Sequence, residues 1–155
     1  MSIDIDYENP WIFEGRAFLS EDIDDLYGFV YLITNLTNGR KYIGRKYFWS
    51  HRKPPGKKRR VKKESDWKKY YGSCPELKED IERLGRQNFS RTILSLHKTA
   101  GKTNFEETRQ LFVNGVLTES LDTGGPLYYN SNILSRYFRK DYYDYGDGGD
   151  CQASP

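Results

Sequence analysis

Tyr31 and Tyr42 stand eleven residues apart around an Asn38-Gly39 dipeptide, and arginine and lysine crowd in directly after the second. Phenols offer an apolar ring with a polar tip, and basic side chains bind phosphate, so the pairing suits a polyanionic partner. Residues 40–69 hold 14 of the 25 basic residues but only Glu64 and Asp66 of the 22 acidic ones. The formal net charge of +3 thus conceals a local +12 against −9 elsewhere. A bare charge run is explained by a solvated loop. Here Tyr47, Phe48, Trp49, Trp67, Tyr70 and Tyr71 are interleaved with it. Cations for phosphates beside rings for bases or sugars make a nucleic-acid surface the stronger reading. Its candidate contacts are Arg45, Lys46, Lys53, Lys57, Lys58, Arg59, Arg60, Lys62, Lys63, Lys68 and Lys69.

These groups need a frame. Phe29, Tyr31 and Ile33 share one face of a strand while Val30, Leu32 and Thr34 share the other, as a period of two requires. Asn38-Gly39 predicts a two-residue hairpin turn with positive φ at both positions, which returns Tyr42 alongside that strand. Pro54-Pro55-Gly56 breaks any helix begun at Phe48, and residues 57–63 form a charge run with little to bury. Ser65-Asp66-Trp67 could cap a short helix carrying Lys68, Lys69 and Tyr70. Pro75 suits a first helical position, Leu77, Ile81 and Leu84 follow at helical spacing, and Gly85 suits a stop. Residues 89–96 read as a third strand. Thr103 with Glu106 has capping-box spacing, which starts a helix there with Glu106 and Glu107 in its first turn. Its expected apolar face is Phe105, Leu111, Phe112 and Val116, and residues 132–137 read as a final helical turn.

At 155 residues the chain is expected to fold as one domain. No signal peptide or bilayer-length apolar run is visible, so a soluble cytoplasmic protein is expected, with no membrane partner. Cys74 and Cys151 are too few for a disulfide scaffold and read as free thiols. Residues 1–27 carry eight acidic residues against Arg16, with Trp11, Ile12, Phe13 and Phe18 among them, and are expected to dock on the domain as an arm.

The tripeptides Phe29-Val30-Tyr31 and Tyr42-Ile43-Gly44 resemble the pair that gives the GIY-YIG endonuclease family its name. The second matches outright; in the first, Phe29 stands where the family has glycine, with Gly28 one residue earlier. Further matches keep the family's order: Arg52 eight residues after Gly44, a helix ending at Gly85, the strand with Ile93 and Leu94, Glu107, and Asn130 after two tyrosines. The likeness covers roughly residues 28–132 and, with Tyr70-Tyr71-Gly72-Ser73, is greatest to small phage-encoded homing-type members.

The resemblance implies an α+β fold with a small three-stranded antiparallel sheet and flanking helices. It places the nuclease-like domain at residues 28–138, with a basic insertion at 53–69 and a flexible tail at 139–155. It further implies a metal-dependent endonuclease acting on double-stranded DNA in a host cytoplasm, with one Mg²⁺ or Mn²⁺ per active site. A homo-oligomer would serve double-strand cleavage. Glu107 would hold the metal, Glu106 being able to exchange roles with it. Arg52, on a helix after the hairpin, would bridge phosphate oxygens; Tyr31 and Tyr42 would orient water, with Lys41 or Lys46 lowering a phenol pKa. Where many members have a histidine this chain has Gly56, so His51 is an alternative proton acceptor and Tyr71 a possible equivalent phenol. Gly44 and Asn130 would be structural.

Overall fold

The computed structural model describes residues 6–53, 55–56, 58–59 and 61–143, with Arg52 and Val61 described by their main chain alone. Lys57, Arg60, Cys151, the Arg52 side chain and the expected tail beyond residue 143 lie outside the described residues.

Trp11 is completely buried, and the strand after it, β1 (Ile12–Phe13), turns back into β2 (Arg16–Ala17). Glu14 (φ 51°) and Gly15 (φ 85°) make that two-residue turn, with both φ values positive as the tightest hairpins need. The tyrosine hairpin follows as β3 (Gly28–Asn35) and β4 (Lys41–Tyr47), then a second hairpin, β5 (Trp49–Arg52) and β6 (Val61–Glu64). After α1 (Pro75–Leu84) come β7 (Phe89–His97) and α2 (Ala100–Val113), and the chain closes with β8 (Asn132–Ile133) and β9 (Tyr137–Phe138).

The main sheet has five strands in the order β2-β1-β7-β3-β4, which corrects the expected three. The two extra strands come from the acidic N-terminal stretch. β1 lies parallel to β7, with Ile12 opposite Thr92, and so covers an edge that β7 would otherwise expose. Trp11 fixes this docking through its indole N–H, which donates to the Trp67 carbonyl at 2.7 Å. Arg91 of β7 completes it. Its guanidinium is 1% exposed and donates to the carbonyls of Glu8, Asn9, Lys68 and Tyr70, between the rings of Trp11 (4.6 Å) and Tyr71 (4.2 Å). Burial lowers its pKa, and carbonyl acceptors take the place of a carboxylate partner.

β3 lies between β7 and β4 and is buried on both faces. Phe29, Tyr31 and Ile33 meet Leu77 and Ile81 of α1 together with Trp11, Phe48 and Trp67. Val30 and Ile43 meet Leu111 of α2 with Val116 and Leu117. The helices therefore occupy opposite faces. Pairing of β3 with β7 shifts register between Val30 and Tyr31, a bulge that re-aims the strand at the first tyrosine.

Several local expectations change. Only Gly39 (φ 82°) of the Asn-Gly pair has positive φ, and its N–H donates to the Asn35 carbonyl across a four-residue loop. The Asn35 amide takes over that turn, accepting from the Thr37 N–H at 2.9 Å. Residues 49–52 form a strand, not a helix, because Phe48 is fully buried and the chain then pairs with β6. The segment after Asp66 is a single 3-10 turn, Trp67–Lys69. Helix α2 starts a turn earlier than expected: Thr99 caps it by accepting from the Lys102 N–H, and Thr103 is buried inside it. Glu106 and Glu107 thus sit in its second turn. Phe105 (70%) and Phe112 (51%) are exposed, leaving Leu111 as the apolar contact. Residues 132–138 form a small hairpin because Leu134 and Ser135 both adopt positive φ.

Candidate active site

Tyr31 and Gly44 are cross-strand partners, and so are Ile33 and Tyr42. Both tyrosines therefore rise from one face, where their rings lie 6.2 Å apart. Gly44 makes the geometry possible. A Cβ there would fall on the Tyr31 hydroxyl, and its nearest Tyr42 ring atom would be 3.1 Å away. Gly72, at φ 88°, closes the same space from the loop before α1; a Cβ on it would lie 3.4 Å from the Tyr31 hydroxyl and 3.2 Å from the Tyr42 ring. Tyr70 adds a third phenol, edge-on to Tyr31 at 6.0 Å, and Lys46 lies over its ring at 4.1 Å.

Glu107 approaches from the opposite face. Its helix ends the approach at the rim of β4, where a cavity of about 380 Å³ is lined by Tyr42 and Ser73 from one side and Glu107 and Thr108 from the other. Arg45, next to Gly44, places its Nε 3.3 Å from the Glu107 carboxylate. The Glu107 side chain is 23% exposed. Burial raises its pKa above the ordinary glutamate value, with Arg45 opposing the rise. Burial also pushes Tyr42 up to about 12, against the Ser73 hydroxyl, while Glu107 adds to the rise. Tyr31 stands well above an ordinary phenol, through burial first and then the neighbouring Tyr42, Tyr70 and Glu107. Both phenols keep their protons at neutral pH.

Asn130 holds the rim. Its amide accepts from the Ile43 N–H (3.1 Å) and donates to the Ile43 carbonyl (2.8 Å), continuing the main-chain bonds of Lys41 with Leu127 and Tyr129. Further along, the Ser65 hydroxyl donates to the Tyr47 carbonyl. Only the stretch at Arg45 between these two seals is left open among the described residues.

Tyr31, Tyr42, Gly44 and Glu107 are thus brought together, with Asn130 alongside. Tyr71 is not with them: its hydroxyl accepts from Asn9 and its ring covers Arg91, so Tyr70 is the neighbouring phenol. His51 stacks on Tyr27 at 6.3 Å, in neither the cavity at Glu107 nor the groove beside it. Arg52 ends β5 opposite Val61, and the helix expected to carry it is absent; the described guanidinium at Glu107 belongs to Arg45. Glu106 is engaged elsewhere by Arg109 and Gln110, which hold its pKa near 2. Lys68 pairs with Asp6, and Lys46 with Asp66. Lys53, Lys58, Arg59, Lys62, Lys63 and Lys69 are exposed. A second groove of about 660 Å³, with Arg45, Lys46, Tyr70, Ser50 and Lys63 in its walls, runs from the rim toward the β5–β6 hairpin. Sequence reasoning missed Tyr70, Gly72 and Ser73 as site residues. It had Arg45 only as a phosphate contact, although its place beside Gly44 on an edge strand was the available signal.

Among the described residues no three His, Cys, Asp or Glu side chains cluster, and no helix is long and apolar enough to cross a membrane. A protein-family model described as "Putative endonuclease segE, GIY-YIG domain" matches residues 11–133. A protein of Enterobacteria phage T4 named "Putative endonuclease segE" is 39% identical over 75 residues, 48% of this chain. The match spans 29% of that relative's length. No solved structure matches.

Proposed function

The chain belongs to the GIY-YIG endonuclease family, and on that premise we propose that it hydrolyses phosphodiester bonds of double-stranded DNA with one divalent cation. The observation that supports this is the convergence of Tyr31, Tyr42, Arg45 and Glu107 at the rim of β4. The residues suit Mg²⁺ or Mn²⁺: one hard carboxylate, Glu107, faces a cavity with room for the several waters such an ion retains. When bound, the ion neutralises phosphate charge and stabilises the departing 3′ oxygen.

Arg45 supplies a planar cationic fork beside the same phosphate and needs no change of protonation. Tyr31 and Tyr42, both protonated, orient the attacking water by accepting hydrogen bonds from its O–H groups at their hydroxyl oxygens, which leaves a lone pair free to face the phosphorus; its proton leaves to solvent water in the cavity. Gly44 and Gly72 leave the space that the Tyr31 hydroxyl occupies, which any side chain at Gly44 would take. Asn130 keeps β4 straight under these groups without touching the reacting atoms. Arg52 and the exposed lysines contribute phosphate contacts along the DNA. A single site cuts one strand per visit, so a double-strand break takes two copies or two successive nicks. The enzyme acts in the cytoplasm of a host cell.

Incubation of plasmid DNA with the wild-type chain and Mg²⁺ or Mn²⁺, with and without chelator, tests this. Nicking or linearisation that needs the ion and vanishes in Glu107→Ala, while DNA retention persists, is the expected result. Unchanged cleavage by Glu107→Ala would remove the metal assignment, and DNA binding without cleavage by the wild type would leave only a binding protein.

A further inference from the structure

The β5–β6 hairpin is not part of the main sheet. It forms a separate two-stranded ribbon, with Ser50 opposite Lys63 and His51 opposite Lys62. Its root is firmly held. Phe48 is fully buried, the Trp49 indole N–H donates to the Leu26 carbonyl at 3.2 Å, and Ser65 N–H donates to the Phe48 carbonyl at 2.7 Å. Glu64, the one acidic residue of the ribbon strands, is consumed in that anchoring by the Trp67 indole (2.8 Å) and the Ser20 hydroxyl (2.9 Å). Lys62 is braced over the Trp49 ring at 4.3 Å, and Lys62 and Lys63 are both exposed.

We propose that this ribbon enters the major groove of the DNA duplex whose backbone lies in the adjoining site. The inference rests on the nuclease function above and gives it a mode of DNA engagement. Size supports the major groove. A two-stranded ribbon with its side chains is roughly 10 Å across, which fits a groove of about 12 Å and not one of about 6 Å. Position supports it too: Ser50 and Lys63 line the same groove as Arg45 and Tyr70, so a strand bound at the rim of β4 passes along the ribbon. Lys62 and Lys63 are placed to meet phosphates or guanine edges, and Ser50 and His51 carry the groups that can read a base.

The experiment measures retention of a mixed-sequence duplex by the full chain in chelator, against methyl green as a major-groove ligand and distamycin as a minor-groove ligand. Methyl green should weaken binding about tenfold and distamycin less than about twofold. Lys62→Ala with Lys63→Ala should abolish the methyl green effect and reduce the salt slope by about two, while Lys62→Arg with Lys63→Arg keeps both. Distamycin acting as strongly as methyl green, or the alanine pair keeping full methyl green sensitivity, overturns the ribbon proposal. A chain that shows the expected competition yet cuts no plasmid overturns the hydrolytic function alone; one that cuts but ignores methyl green overturns the ribbon alone.

Discussion

Without the N-terminal strands, β7 and β4 would be the two edges of the sheet, and they are finished in opposite ways. On the N-terminal side, β7 is covered by β1 and β2, and Arg91 spends its donors on carbonyls of the segments that cover it. On the other side, β4 is sealed at Lys41 and Ile43 by residues 127–130 and at Tyr47 by Ser65, while Arg45 stays open. Both edges carry an arginine, Arg91 buried and Arg45 exposed. At the closed edge the guanidinium is satisfied by neutral acceptors and has nothing left to offer a ligand. At the open edge it faces a half-buried carboxylate whose pKa is raised by burial, with Arg45 opposing the rise. A polar group already fully bonded stabilises; one held short of that is ready for a substrate.

The contrast breaks most visibly at Glu107. Glu107→Gln should lower cleavage by at least about 10³-fold while leaving duplex retention intact, read by plasmid nicking beside gel retention. The same variant should melt higher than wild type at neutral pH. Burial raises the folded pKa of Glu107, so the ionised form costs stability there; the gain should fade as pH falls through the folded pKa toward the ordinary glutamate value. A variant that melts lower at neutral pH would contradict the burial assigned to that carboxylate.

Gly44→Ala comes next. A methyl placed on the Tyr31 hydroxyl must push the phenol away, with loss of cleavage on the order of 10²-fold and little change in DNA retention. Wild-type kinetics in this variant would mean that the Tyr31 position is irrelevant to catalysis. Arg91→Met transfers the test to the closed edge. Several buried carbonyls lose their donor, so unfolding by urea should show a loss of about 3 kcal/mol. Cleavage per folded molecule should fall much less than in Gly44→Ala.

Acid should sharpen the difference between neighbours. Cation affinity, followed by calorimetry, should weaken at a pH above the range where an ordinary glutamate protonates, because the protonated form of Glu107 is favoured by burial. Glu106→Gln should change cleavage less than about twofold, since that carboxylate serves an exposed pair with Arg109.

What could be read in the chain was the alternation of residues 28–35 and the order of the groups that follow it. That was enough to place Tyr31, Tyr42 and Glu107 near one another. It did not show that Arg45 would lie 3.3 Å from Glu107, because that contact depends on how α2 crosses the rim of β4. The N-terminal strands were illegible for another reason. Strands of two residues pair through their main chain, which has no side-chain signature, and Trp11 shows only that something docks. Phe105 and Phe112 misled because helical spacing gives a direction around the axis and not the direction of the core.

The seals along β4 have a consequence for the behaviour of many copies at once. A bare strand border invites a neighbour's chain to zip onto it, and successive additions build fibres. Here the unsealed piece is a single residue long, and it bears a cation that a second copy's Arg45 would repel. Among the described residues, that opening on β4 is too short to recruit a strand.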